Sequence, residues 1–139
     1  MKKLIVLSLL LAGFLLPGGL FAADVTEEWV KRYDGPANGH DHANAIAVDS
    51  AGNVYVTGCS LGIGAPLDYD YATIKYAPDG TQLWVNRYDG PGESYEIALD
   101  SSGNVYVTGY SYGIGTDNDY ATIKYDTNGT QLWVARYNG

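Results

Sequence analysis

The sequence predicts an all-β protein made of antiparallel four-stranded units, and three observations carry that prediction. The first is internal repetition. Asp49-Ser-Ala-Gly-Asn-Val-Tyr-Val-Thr-Gly58 returns as Asp100-Ser-Ser-Gly-Asn-Val-Tyr-Val-Thr-Gly109, and Asp70-Tyr-Ala-Thr-Ile-Lys-Tyr76 returns unchanged at Asp119 to Tyr125. Thr81-Gln-Leu-Trp-Val-Asn-Arg-Tyr-Asp-Gly90 returns at Thr130 to Gly139, and a third version runs from Thr26 to Gly35. The second is composition: short runs rich in β-branched and aromatic residues alternate with Gly, Asn and Asp clusters, the pattern of strands and tight turns. The third is the lack of sustained helical periodicity after the first 22 residues.

The elements follow in chain order. Lys2 and Lys3, an uncharged apolar run over residues 4–16, the breakers Pro17, Gly18 and Gly19, and the small residues Ala22 and Ala23 make a signal peptide, residues 1–22. The run is shorter than the roughly 20 apolar residues of a membrane span. The address is therefore secreted or extracytoplasmic: periplasm, cell surface or extracellular. Residues 23–139 form the repeat region, with a leading strand at 26–35, repeat 1 at about 36–90 and repeat 2 at about 91–139. Each repeat reads as four strands: a (45–49, 96–100), b (53–58, 104–109), c (71–77, 120–126) and d (82–88, 131–137). Asp-x-x-Gly-Asn joins a to b, its carboxylate free to cap backbone amides. Asp79-Gly80 and Asn128-Gly129 join c to d, where Gly supplies a positive φ.

Four strands in about 50 residues is the period of a propeller blade. Read together, the three linked motifs resemble the bacterial β-propeller repeat known as the SBBP repeat, across the whole region after the signal peptide. The resemblance implies an extracytoplasmic propeller, often one part of a larger protein, and it brings no catalytic motif. Closed propellers need about 4–8 blades, whereas this sequence encodes two, an incomplete propeller. Each blade is built to lie between neighbours, so two apolar faces are expected to stay open. Either the chain belongs to a longer reading frame or copies associate, and self-association is the expectation for the chain expressed alone.

Charge narrows the partners. After removal of residues 1–22, six basic and all sixteen acidic residues remain, a net charge of −10. Nucleic acid is excluded as a partner, because its binding rests on Lys and Arg at phosphates. Cys59 is the only cysteine, and Tyr110 takes its place in repeat 2. It cannot form an internal disulfide and reads as a packed or incidental thiol.

In an up-and-down meander the d-to-a and b-to-c loops share one end. His40 and His42, Asp68 and Asp70, and Asp117 and Asp119 all fall there. The paired carboxylates recur in register and suit Ca²⁺, although Asp is also an ordinary turn residue. Two imidazoles on one side of an extended His-Asp-His run would suit Zn²⁺ or Cu²⁺, with a solvated loop as the plainer reading. The pattern requires no cofactor. Tyr69, Tyr95 and Tyr112, read as loop residues, could stack on sugar rings. The repeated Trp29, Trp84 and Trp133 read as core or cross-strand residues. There is no Gly-x-Ser-x-Gly elbow, and the Gly-x-Gly of Gly62 and Gly64 precedes no helix. The expectation is a non-catalytic scaffold or binding surface for glycan or protein. The alternative is a metal-dependent site at the loop end, with hydrolysis as its chemistry.

Overall fold

The computed structural model describes residues 26–63, 68–113, 115 and 117–138; the signal peptide lies outside them. The chain divides into residues 1–30 and 31–139, and every strand among the described residues lies in the second unit. The strands are β1 (Asp41–Val48), β2 (Val54–Leu61), β3 (Tyr69–Tyr76), β4 (Gln82–Tyr88), β5 (Gly92–Leu99), β6 (Val105–Tyr112), β7 (Asn118–Tyr125) and β8 (Gln131–Tyr137). They form two four-stranded sheets in sequential order, β1 to β4 and β5 to β8, every neighbouring pair antiparallel. These are two blades in the expected order.

Local chemistry sets the turns. Asp49 Oδ1 accepts hydrogen bonds from the amides of Ala51 and Asn53, and its Oδ2 accepts from the Asn53 side chain and the Tyr55 hydroxyl. Asp100 repeats this set with Ser102, Asn104 and Tyr106. Gly80 and Gly129 hold φ of 80° and 87°, values that L side chains rarely adopt. The first strand of each blade carries a bulge, between Ala43 and Ala45 and between Ser94 and Glu96. Opposite each bulge stands a glycine. A Cβ on Gly58 would collide with the His42 carbonyl, and one on Gly109 with that of Glu93. The repeated Thr-Gly ending of strand b thus leaves room for the bulge.

The strands extend up to four residues further toward the loop end than the sequence suggests. Asp41, His42, Tyr69, Asp70, Tyr95, Tyr112 and Asp119 therefore sit in strands. The ladder continues because Ser60 pairs with Asp70, Leu61 with Tyr69, and Tyr112 with Asn118. Polar side chains do not interrupt a backbone ladder whose register holds. The sequence predicts a strand over residues 26–35, and none is assigned there. A strand exists only through a paired partner, and residues 31–35 belong to none of the ladders.

The core lies between the blades. From blade 1 come Tyr55 and Tyr71, with Trp84 and Tyr88 beside them; from blade 2 come Val105, Val107, Ala121, Ile123 and Tyr125. Trp84 lies between Tyr55 and Tyr125, with ring centroids 6.1 and 6.2 Å away. Polar bonds cross the same interface. The Thr57 and Ser94 hydroxyls are 2.7 Å apart, and the Asn86 amide donates to the Gly129 carbonyl at 2.6 Å.

Candidate functional site

The loop end of each blade is organised by an arginine from its last strand. Arg87 donates to the carbonyls of Ser60 and Leu61 at 3.1 and 3.2 Å and to Asp70 Oδ2 at 2.8 Å, and it also touches the Ser60 hydroxyl. Arg136 repeats this with the carbonyls of Ser111 and Tyr112 and with Asp119 Oδ2 at 3.4 Å. The second carboxylate of each Asp-x-Asp pair is thus bound to a guanidinium, which sits among oxygen ligands. Burial pushes the Asp70 carboxyl above its ordinary range, and Arg87 opposes that shift. Sequence reasoning missed both arginines. Their signal was spacing, since each stands 17 residues after the aspartate it binds.

Of the remaining metal-type candidates, Asp68 is near enough to Asp70 for its charge to raise that carboxyl. His40 and His42 are on one side of the chain, their rings nearly parallel with centroids 6.3 Å apart. Asp117 is exposed, and its carbonyl accepts from the Gly113 amide. Oδ1 atoms of Asp41, Asp68 and Asp70 are buried without a hydrogen-bond partner. Among the described residues, His, Cys, Asp and Glu form no group of three placed to hold a metal ion. Cys59 is buried, and burial, followed by the charge of Glu93, pushes its thiol up to about 11. A thiol so placed is inert at neutral pH.

The tyrosines converge on blade 2. Tyr95 occupies the β5 bulge, and bulges re-aim side chains. Its ring centroid lies 5.8 Å from that of Tyr110, which lies 5.9 Å from Tyr112 in an edge-on contact. Tyr110 was not anticipated, because repeat 1 has Cys59 in its place. Its signal was alternation: Tyr110 and Tyr112 share one face of β6. Tyr69 is at the start of β3 in blade 1, in the position that Asn118 takes in blade 2. Beside the tyrosine cluster lies an open groove of about 520 Å³, lined by Tyr110, Tyr120 and Tyr137 with Asp117, Asn118 and Asp119. Exposed aromatic faces with polar neighbours are suited to binding.

Two consecutive four-stranded antiparallel meanders, packed face to face and built from one repeated motif set, define a blade-repeat protein of the propeller class. The beta-propeller repeat model of the SBBP family matches residues 28–65 and 93–119. One match falls in each half of the repeat region, in agreement with the resemblance carried by the sequence motifs. Among curated proteins, none matches the chain. No helix among the described residues is long and apolar enough to cross a membrane.

Proposed function

We propose that the protein is a secreted, non-catalytic binding module that presents the loop end of its second blade to a glycan. The observation that carries this reading is the cluster of Tyr95, Tyr110 and Tyr112 beside a groove with Asp117 and Asn118 on its wall. Flat aromatic rings cover the apolar faces of sugars, while amides and carboxylates take hydroxyls as partners. The half-exposed Tyr95 and Tyr112 offer this surface without first leaving a core. Affinity electrophoresis against soluble polysaccharides tests the reading. Retardation is expected, with Tyr112→Ala or Tyr95→Ala weakening it about tenfold, the cost of losing one aromatic contact of roughly 1.4 kcal/mol. Unchanged affinity in both variants, or no retardation in any polysaccharide, overturns it.

The metal-dependent alternative is supported by one observation, the unpartnered buried oxygens of Asp41, Asp68 and Asp70. Binding that disappears with EGTA and returns with Ca²⁺ would favour that alternative.

A further inference from the structure

Blade 1 packs one face on blade 2, and the repeat places a copy of each packed face on the outside. The packed face of blade 1 carries Tyr55, Thr57, Tyr71, Thr73, Trp84 and Tyr88, placed together by the register of β2, β3 and β4. At the same register positions, the outward face of blade 2 carries Tyr106, Thr108, Tyr120, Thr122, Trp133 and Tyr137. This outward face is already preformed. Tyr106 meets Trp133 at 6.1 Å and 64°, the geometry of Tyr55 and Trp84. Lys124 lies 4.8 Å over Tyr106, as Lys75 lies 5.0 Å over Tyr55. The Thr108 and Thr122 hydroxyls are 3.0 Å apart, as are those of Thr57 and Thr73.

The complementary face is duplicated too. Blade 2 receives blade 1 on Val105, Val107 and Ile123, with Ile97 and Leu99 packed beside them. Blade 1 carries Val54, Val56 and Ile74, with Ile46 and Val48, at the same positions; Ile74 is buried and Val54 and Val56 are half-buried, so Ile46 and Val48 form the open part of this face. Ile46 is 67% exposed and Val48 60%.

Residues 33–35 are the internal occupant of one lane of this face. The Tyr33 hydroxyl lies 3.4 Å from Arg87, as the Tyr88 hydroxyl lies 3.5 Å from Arg136. Gly35 lies against the Ser60 hydroxyl, as Gly90 lies against that of Ser111. The chain after Tyr33 thus follows the path on blade 1 that the chain after Tyr88 follows on blade 2. Residues 31–35 have no ladder partner, whereas β8 is paired with β7 along six positions. Of the two, residues 31–35 are the segment that yields.

We propose that a second copy of this chain docks the outward face of its blade 2 onto the outward face of blade 1, in the geometry of the internal blade pair, displacing residues 31–35. The inference extends the reading of blade 2 as a binding surface from its loop-end groove, where Tyr120 and Tyr137 already lie, to the whole outward face, and it names a second copy as the partner of that face. Three cross-blade polar groups are absent from the outward pair: Ala135 replaces Asn86, Ala43 replaces Ser94, and Tyr95 replaces Asn44. The external contact is therefore weaker than the internal one and tunable by its cover. Being head-to-tail, it leaves each end copy with one open face, so growth continues unless a ring closes.

Sedimentation of the purified exported protein tests this at micromolar concentrations. Wild type is expected to gain mass with concentration, and Tyr33→Ala to associate about tenfold more tightly by loosening the cover. Tyr120→Arg and Ile46→Arg are each expected to be monomeric, because each spoils one face. Their equimolar mixture forms a 1:1 complex and stops there. Tyr137→Arg with Val48→Arg repeats the pair at other exposed positions, should either first variant fail to fold. Wild type and Tyr33→Ala both remaining monomeric, or a mixture that stays monomeric, overturns the proposal. Polysaccharide affinity of Ile46→Arg separates the two readings. Glycan binding without association removes only the docking; association without glycan binding removes only the glycan.

Discussion

Tyr71 and Tyr120 stand at the same position of the same seven-residue motif, one in each blade. Tyr71 is fully buried and Tyr120 is 72% exposed. The strands around them are alike in length, register and turn chemistry. What differs is the neighbour: blade 2 covers the face that holds Tyr71, and no further blade among the described residues covers the face that holds Tyr120. Local sequence determines strand and turn, whereas burial is a property of the stack. Stability in such an array divides into an intrinsic part per repeat and a part per interface. The two tyrosines sample these parts separately.

Paired substitutions at the tyrosines give the largest expected contrast. Tyr71→Ala removes a buried aromatic side chain from the interface and is expected to cost about 3–5 kcal/mol. Tyr120→Ala is expected to cost below about 1 kcal/mol, because that ring is mostly in water already. Urea denaturation of the two variants measures the difference. Equal losses would mean that Tyr120 is covered in solution, which is itself the signature of a docked second copy, and dilution would then separate the two values.

The arginine clasps give an intermediate contrast. In blade 1 the Arg87 and Asp70 side chains are 21% and 9% exposed and 2.8 Å apart. In blade 2 the Arg136 and Asp119 side chains are 34% and 8% exposed and 3.4 Å apart. Arg87→Met strands a buried carboxylate and is expected to cost about 2–3 kcal/mol. Arg136→Met leaves an equally buried carboxylate but breaks a longer pair whose arginine is more exposed, and is expected to cost less, about 1–2 kcal/mol. The same denaturation assay reads both. The reverse order would show that the loop end of blade 2, not blade 1, is the tighter structure.

The clasps also show what the sequence could not supply. The turns at Asp49 and Asp100 were legible because donor, acceptor and backbone all lie within six residues. So was the blade order, since one motif set recurs. Asp-x-Asp taken alone suits an ordinary turn or Ca²⁺, and nothing near it in the sequence points to the guanidinium that meets Asp70 and Asp119, because it arrives a full hairpin later. Tyr110 was hidden by its own irregularity, since the repeat has Cys59 there. The strand ends were placed short because Tyr69, Asp70 and Tyr95 look like loop residues by polarity, whereas the backbone ladder extends past them. Most instructive is Trp133, 42% exposed while Trp84 is wedged between Tyr55 and Tyr125. Their flanking sequences are nearly identical, so no local signal could separate them.

The smallest expected contrast is at the turns, where the two blades share the same hydrogen bonds and differ only in the lysine: Lys124 lies 3.9 Å from Asp100, whereas Lys75 donates to the Thr127 carbonyl of blade 2. Asp100 is held to about 2, from an ordinary 3.8, chiefly by the Asn104 side chain; desolvation opposes the shift, and the amides of Asn104 and Ser102 and the Tyr106 hydroxyl add to it. Asp49 is also lowered: desolvation opposes the shift, but Asn53, Tyr55 and Ala51 outweigh it. A depressed folded-state value means that the carboxylate contributes stability above pH 4, and that this contribution fades as pH falls from about 4 through about 2. Asp100→Asn should therefore flatten the acid limb of the wild-type stability curve inside that window and leave pH 5–8 parallel. Asp49→Asn should act in the same direction, because the hydrogen bonds that lower both carboxyls come from within each turn. Carboxyl NMR titration gives the direct reading, with both groups titrating below the ordinary aspartate range. If Asp49 titrated normally while Asp100 stayed low, the turns would be sensing the stack. The division between local turn chemistry and neighbour-dependent burial would then fail at the place where it is expected to be cleanest.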